Sequence, residues 1–167
     1  MEVRPLRPEE GLLYRQLRLR ALSDAPDAFG DTLADALLRP EQWWTDRVHQ
    51  IAHNFDREVL LVAFNQREPC GLLYVRLEVP GVHFYGMWVA PALRRKGSGS
   101  ALLNAGLLWA RTREADYAEL WVTEGNTAAI NLYEGLGFRD TGMREPIRPG
   151  SAIRVRRMTL NITDNRI

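Results

Sequence analysis

The sequence has little of the chemistry that cross-links or metal sites require. Cys70 is the single cysteine in 167 residues, so a disulfide within the chain and a cysteine-rich zinc site are both excluded. His49 and His53 are four residues apart, but no acidic or thiol partner has ligand spacing, which favours a solvated helix face. We therefore predict no bound metal.

An excess of charge and long apolar runs are also missing. The 22 basic and 21 acidic side chains give a net charge of +1, which argues against a dedicated nucleic-acid binder. No run is long enough to span a bilayer, and the N-terminal MEVRPLRPEE lacks the apolar core of a signal peptide. We therefore expect a cytoplasmic protein with no nucleic-acid or membrane partner.

What is present indicates one globular α/β domain over residues 1–167. Hydrophobic residues make up 46% of the chain and charged residues 26%, and there is no repeat or linker. Strand 71–79 alternates between apolar and polar positions, which favours antiparallel pairing with one wet face. The predicted elements are strands over 2–6, 58–64, 71–79, 82–91, 118–123 and 154–160, helices from Pro8, from Pro40 and over 98–113 and 126–138, a loop over 144–150 and a loose tail over 161–167.

The stretch RRKGSGSALL, residues 95–104, places cations, glycines and serines at the start of a helix. The first turn of a helix has backbone N–H groups without partners and a partial positive charge, so it binds anions. Neither the ATP-type phosphate loop nor the dinucleotide fingerprint fits the spacing. On the stretch alone, a phosphate site, a nucleic-acid patch and a solvated turn all remain open.

The wider spacing decides among these alternatives. Arg94-x-x-Gly97-x-Gly99 follows a strand that ends in Trp88-Val89-x-Pro91. A strand, ELWVT, comes next, and then Asn126-x-x-Ala129-x-x-x-Tyr133-x-x-x-Gly137-Phe138. This combination resembles the GNAT superfamily of acyl-CoA-dependent N-acetyltransferases over about residues 58–139. The opening LRLRALSDAPDAF, residues 17–29, is similar to the first helix and loop of many members.

The resemblance implies a fold and an activity. The fold is a mixed, mostly antiparallel sheet with helices on both faces and a splayed central strand pair. The activity is transfer of an acetyl group from acetyl-CoA to a primary amine by direct attack in a ternary complex, without a metal. A non-catalytic acyl-CoA sensor with the same fold is the alternative. Relatives are often dimers, so a homodimer is also expected.

The resemblance also implies a set of coenzyme-binding residues. The turn over residues 94–100 corresponds to the loop that holds the coenzyme A pyrophosphate, and backbone groups of Trp88 and Val89 to those that bind the pantetheine arm. Asn126 matches a position that often contacts the cofactor. The cradle residues are Arg94, Arg95, Lys96, Gly97, Ser98, Gly99 and Ser100.

Two residues are candidates for proton transfer. Tyr133 matches the tyrosine near the thioester sulfur and is our candidate acid; its spacing from Ala129 also fits a tyrosine that only packs on the sheet. His83 is the candidate base, or a histidine on a half-exposed strand. His83 shares a strand face with Tyr85, and with Met87 if no bulge intervenes.

Candidates for the acceptor side are fewer. Phe29 either plugs the edge of the core or lines a substrate cleft. Tyr85 and Trp44 are further aromatic candidates, and Glu145 is a candidate partner for a cation. Glu124 is the reserve base, or it caps the helix that follows. The acceptor itself, whether a small amine, a peptide N-terminus or a lysine, is left open.

Overall fold

The structure is a computed structural model that describes residues 1–163, in which helices and strands follow the order of an α/β fold. Short 3₁₀ turns lie at Pro26–Ala28 and Pro91–Leu93. The regular elements are β1 (Glu2–Pro5), α1 (Gly11–Asp24), α2 (Leu33–Leu37), α3 (Glu41–His53), β2 (Glu58–Asn65), β3 (Glu68–Glu78), β4 (Gly81–Val89), α4 (Ser98–Arg111), β5 (Tyr117–Thr123), α5 (Thr127–Gly135), β6 (Arg139–Pro146) and β7 (Arg154–Asn161).

The strands form one open, seven-stranded sheet in the order β1-β2-β3-β4-β5-β7-β6. The pairs are antiparallel except for β4 and β5, which are parallel. Helix α4 crosses between β4 and β5, as a parallel pair requires. The mixed, mostly antiparallel sheet that the sequence predicts is thereby confirmed.

Helices cover both faces of this sheet. On one face, Gly106 of α4 packs so closely that an added Cβ would lie 3.1–3.2 Å from Phe84, Leu73 and Val75. Side chains alternate along a strand, so Tyr74 points to the other face, where its hydroxyl accepts a hydrogen bond from Arg47 of α3 at 3.0 Å. The apolar side chains of Trp44, Val48 and Ile51 on α3 are buried.

The two central strands separate part-way along their length. Strands β4 and β5 pair only at Val82–Ala118, His83–Glu119 and Phe84–Leu120. Strand β5 stays paired with β7 as far as Thr123, so β5 separates from β4 and not from β7. The predicted splay is present, and it opens the sheet beside the first turn of α4.

A β-bulge in β4 controls which side chains face this opening. Leu72 of β3 pairs with Trp88, whereas Tyr74 pairs with Tyr85, so β4 carries one extra residue. Gly86 lies there at φ +59°, a conformation that favours glycine. The bulge reverses the alternation, so Met87 faces α4, where an added Cβ on Gly99 would lie 3.0 Å from its Cε. Met87 therefore does not share a face with His83 and Tyr85.

Several predicted boundaries are wrong. Helix α1 begins at Gly11, not Pro8, because the Glu10 carboxylate accepts hydrogen bonds from Arg4 and from the Arg7 amide. Residues 144–146, predicted as loop, belong to the exposed edge strand β6. In the predicted tail, Asn161 ends β7 and Ile162 is buried, and residues 164–167 lie outside the described part.

Candidate active site

A cavity of about 410 Å³ opens where β4 and β5 separate. Its walls come from the two strands, the first turns of α4 and α5, and the loop that follows α1. Ten residues that the sequence singled out line it: Phe29, Trp88, Val89, Arg94, Arg95, Gly97, Gly99, Ser100, Asn126 and Tyr133. Five others, Lys96, Ser98, His83, Tyr85 and Glu124, are not part of its lining.

The first turn of α4 presents backbone amides to this cleft. The first intrahelical bond runs from the Ala101 amide to the Gly97 carbonyl at 2.9 Å, and no side chain caps the helix. By contrast, Thr32 caps α2 and Asn126 caps α5. Unbonded amides at a helix N-terminus attract an anion, so the turn has the chemistry of a phosphate site.

Glycine is required at two points of that turn. Gly97 has φ +87°, which side chains rarely adopt. A Cβ on Gly99 would lie 2.8 Å from Leu132 Cδ2 and 3.0 Å from Met87 Cε, so a side chain there would displace the ends of these two side chains in the cleft wall. The two glycines thus keep the turn both bare and close to its neighbours.

Arg94 and Ser98 hold the turn in place. Arg94 Nε donates to the Val89 carbonyl at 2.9 Å, and its Nη2 pairs with Asp24. Trp88 Nε1 donates to the same Asp24 carboxylate at 2.9 Å. The hydrogen bond from Trp88, followed by that from Arg94, lowers the pKa of Asp24. The Ser98 hydroxyl donates inward to the Leu93 carbonyl at 3.2 Å.

Two exposed cations remain in the turn after Arg94 is paired with Asp24. Arg95 lines the cleft with φ +57°, and Lys96 is exposed beside it. The sequence did not single out Asp24, because a lone carboxylate at a helix end gives no sign of a partner 70 residues away.

Tyr133 lies in the cleft wall with its hydroxyl pointing at β4. The hydroxyl donates to Met87 Sδ at 3.7 Å, and burial raises the pKa of Tyr133 to about 12. Its ring also packs edge-on against Phe138, with the centroids 6.0 Å apart. The residue therefore packs on the sheet and also lines the cleft, and its role as an acid stays a prediction.

Asn126 and Glu124 are two residues apart, but their side chains make different contacts. Asn126 Oδ1 caps α5 by accepting from the Ala129 amide at 3.3 Å. Glu124 does not cap that helix; it binds Arg156 at 2.6 Å and also pairs with Arg144. The hydrogen bond from Arg156 lowers the pKa of Glu124, so this carboxylate is a weak base.

His83 forms a polar cluster at the end of the β4–β5 pairing. Its Nε2 lies 2.6 Å from Glu119 Oε1 and 3.3 Å from Glu78 Oε2, and its Nδ1 lies 3.1 Å from the Tyr85 hydroxyl. Glu119 is 5% exposed and accepts from Arg157 Nε at 2.6 Å. The sequence analysis missed Glu119, although a glutamate inside the apolar run AELWV was a usable signal.

The acceptor-side candidates fall into two groups. Phe29 is buried and lines the cleft, with the Arg18 guanidinium 4.8 Å above its ring, and its contact with a substrate stays a prediction. Tyr85 is 40% exposed, and burial of its hydroxyl followed by the Glu78 charge raises the pKa of Tyr85. Trp44 is fully buried in the core, and Glu145 is exposed on β6.

Neither a cluster of metal ligands nor a membrane-spanning helix is found among the residues that the structure describes. Residues 1–163 contain no group of three or more His, Cys, Asp or Glu side chains able to hold a metal ion. The His49 and His53 rings stack on each other at 4.1 Å on an exposed helix face. None of the helices in this range is long and apolar enough to cross a membrane.

Residues 20–138 match the model of the Acetyltransferase (GNAT) family, which covers the splayed strands, the turn before α4 and Tyr133. The chain belongs to this family. Membership confirms the resemblance seen in the motifs and assigns the chain to a family of acyltransferases.

Curated GNAT relatives include the mycothiol acetyltransferases of Thermobispora bispora and Stackebrandtia nassauensis. The first is 35% identical over 139 residues, which is 80% of this chain and 44% of that protein. The second is 33% identical over 140 residues, 80% of this chain and 42% of that protein. The chain therefore spans less than half the length of these relatives.

Solved GNAT structures share the fold across almost the whole chain. Spermidine N-acetyltransferase from Vibrio cholerae, solved with CoA and spermine, has a TM-score of 0.77 at 20% identity and covers 97% of this chain and 95% of that chain. A putative acetyltransferase from Salmonella typhimurium, solved with its cofactor acetyl-CoA, also has a TM-score of 0.77, at 19% identity, with 97% and 94% coverage.

Proposed function

We propose that this GNAT chain transfers an acetyl group from acetyl-CoA to a primary amine by direct attack within a ternary complex. The observation that carries the proposal is the cleft between β4 and β5. An uncapped helix N-terminus lies at one end of this cleft, and the buried hydroxyl of Tyr133 lies in its wall. Few other chemistries need both features in one groove.

The residues present fit an acyl-CoA. The bare amides of the α4 turn, with Gly97 and Gly99, suit a pyrophosphate, and Arg95 and Lys96 add charge that Asp24 does not neutralise. Strand β4 is free of β5 beyond Phe84, so its open edge near Trp88 and Val89 is able to meet a pantetheine arm, although the Val89 carbonyl already accepts from Arg94. Ser100 and Asn126 line the same groove.

When bound, acetyl-CoA supplies an acetyl group activated as a thioester, with the coenzyme thiol as the leaving group. Tyr133 holds its proton at neutral pH because burial raises its pKa to about 12, so its hydroxyl is able to donate to the departing sulfur. The bulge at Gly86 takes backbone out of the regular ladder, which leaves amide donors for an oxyanion.

His83 accepts the proton that the attacking amine must lose, since only a neutral amine is nucleophilic. Glu119 lies 2.6 Å from Nε2 and is held by Arg157, so the hydrogen-bond network places the ring proton on Nε2. In that tautomer Nδ1 carries the lone pair and is the basic atom, 3.1 Å from the Tyr85 hydroxyl. Direct transfer and transfer through a water both fit this geometry.

The acceptor is a primary amine of small-molecule or peptide origin. The named relatives and neighbours include a mycothiol acetyltransferase and a spermidine N-acetyltransferase, whose names differ in the acceptor and so do not select one for this chain.

A homodimer and a cytoplasmic location stay predictions. An acyl-CoA sensor without turnover is the second candidate, because the coenzyme half of the cleft would serve it equally well.

A panel of amines incubated with acetyl-CoA tests the proposal, with release of free coenzyme thiol as the readout. We expect thiol release above the amine-free rate for at least one acceptor class and a matching acetylated product by mass spectrometry. If acetyl-CoA binds but no amine in a broad panel releases thiol, the sensor is the better account.

A further inference from the structure

Arg18 places a guanidinium against the bulge of β4. A Cβ added to Gly86 would lie 3.2 Å from Arg18 Nη1, and the guanidinium carbon is 4.8 Å from the centre of the Phe29 ring. Gly86 and Phe29 both line the cleft. The Arg18 side chain is only 13% exposed, so a positive charge is largely withdrawn from water beside the reacting centre.

This charge has a poor partner. The nearest carboxylate oxygen is Asp31 Oδ2, 3.7 Å from Arg18 Nη2, which is longer than a hydrogen bond. Asp31 is instead engaged by Arg39, which donates two hydrogen bonds at 2.8 and 3.1 Å, and by the Thr32 amide at 2.9 Å. Arg39 therefore donates to both oxygens of the Asp31 carboxylate. Arg18 makes only a long ion pair with it.

The contrast with other arginines near the cleft is clear. Arg94 and Arg157 each donate directly to a carboxylate. Among residues 1–163, Arg18 donates no hydrogen bond; its contacts are the distant Asp31 pair and the Phe29 ring. Because the guanidinium carries a positive charge and five N–H donors, none of which is donated to these residues, the arrangement indicates an anionic ligand.

We propose that Arg18 binds a carboxylate that one of the two substrates carries next to the reacting centre. The inference rests on the proposed acetyltransferase function and narrows its substrate class. The planar guanidinium matches a carboxylate through two parallel hydrogen bonds. The carboxylate belongs either to the acceptor, which is then an amino acid or another aminocarboxylate, or to the acyl group, which is then a dicarboxylic acyl-CoA.

The position of Gly86 supports this placement at the reacting centre. It lies between Tyr85, on the side of His83, and Met87, on the side of Tyr133. A group held by Arg18 at this bulge is therefore close to both proton-transfer candidates.

Matched substrates separate the two sources of the carboxylate. In the first arm, amino acids are compared with their amides as acceptors for acetyl-CoA. In the second arm, succinyl-CoA is compared with acetyl-CoA as donor to an uncharged primary amine. The proteins are wild type, Arg18→Gln, Arg18→Lys and Arg15→Gln, the last a control on the same helix that removes one positive charge in the same way.

We expect the wild type to prefer the carboxylate-bearing member in one arm, and that arm identifies the source. In Arg18→Gln the ratio of kcat/KM values for the carboxylate and neutral members should fall by about 10- to 100-fold. Arg18→Lys keeps the positive charge but loses the planar guanidinium, so its ratio should lie between those of wild type and Arg18→Gln. Arg15→Gln should leave the ratio unchanged. Rates with neutral substrates should change little in any variant.

Equal ratios in wild type and Arg18→Gln in both arms would overturn the inference while leaving the acetyltransferase intact. If no acceptor releases thiol, the proposed function fails, and the inference is then decided by binding. In that case the same carboxylates should raise the melting temperature of wild type in the presence of CoA and not that of Arg18→Gln. Equal shifts in the two proteins, or no shift in wild type, would contradict it.

Discussion

The hydroxyl of Tyr133 and the sulfur of Met87 meet at 3.7 Å, which joins α5 to β4 across the mouth of the splayed strands. The contact depends on the bulge at Gly86, because without the extra residue Met87 would face the opposite side of the sheet. The same backbone irregularity therefore places the Met87 sulfur where the Tyr133 hydroxyl of the cleft wall meets it.

Removing that hydroxyl should affect chemistry more than binding. Tyr133→Phe keeps the ring packed against Phe138 and gives up only a weak hydrogen bond to sulfur. We expect kcat to fall by roughly 100-fold, with the KM for acetyl-CoA changed less than about twofold. Steady-state kinetics measure both, and Tyr117→Phe, outside the cleft lining, is the matched control. A variant with wild-type kcat would remove Tyr133 as the acid.

The α4 turn can be tested with a pair of variants at Gly97. Asparagine and aspartate have nearly the same shape, and both tolerate positive φ better than most residues, so their difference isolates charge. Gly97→Asp should bind CoA about 10-fold more weakly than Gly97→Asn, because the carboxylate repels the pyrophosphate at the helix N-terminus. Isothermal titration gives both constants. Equal constants would place the pyrophosphate elsewhere.

Asp24 should make stability depend on pH. Its pKa is lowered in the folded protein by Trp88 and Arg94, so the charged carboxylate stabilises the fold above its ordinary pKa of about 3.9. This contribution is lost as the pH falls through the lowered value. Asp24→Asn should therefore melt below wild type at pH 7, and the gap should narrow below about pH 4.

Asp27→Asn, on the exposed turn after α1, is the control for that comparison and should track wild type at every pH. Asp24→Asn should also weaken acetyl-CoA binding, because Arg94 would no longer be anchored beside the turn. A gap between Asp24→Asn and wild type that stays constant down to pH 2 would show that the ion pair does not form.

His83 and Glu119 should act together in the pH–rate profile. His83→Gln removes the basic nitrogen, so we expect kcat/KM to fall by about 100-fold and its acidic limb to disappear. Glu119→Gln keeps the histidine but loses the carboxylate that orients it, so kcat/KM should fall by less than in His83→Gln. If His83→Gln keeps the wild-type limb, the base is another group.

Local patterns predicted the framework of this protein well. The antiparallel pairing of 71–79 and the glycine-rich turn before α4 are each encoded within a few residues. Strand β6 was missed because its sequence RDTGMREP is polar and the strand is exposed at the sheet edge. The five-residue helix α2 was too short to show a period.

The candidate site was predicted unevenly for the same reason. The α4 turn, Asn126 and Tyr133 belong to one motif with a fixed spacing, so the sequence alone predicted that they share a site. The partnerships that shape the site join distant segments: Asp24 with Arg94, Glu119 with His83, and Arg18 with Gly86. Pairing across strands and the bulge create these contacts, and neither leaves a mark in a single sequence.

The most direct test of the account is a thermal-shift titration of the wild-type protein with acetyl-CoA, with ATP and inorganic pyrophosphate as competing anions. We predict a saturable rise in melting temperature with acetyl-CoA, a much smaller one with either anion, and a smaller rise in Gly97→Asp than in Gly97→Asn at the same acetyl-CoA concentration. No rise with acetyl-CoA, or a larger one with ATP, would contradict the assignment of the cleft to an acyl-coenzyme A.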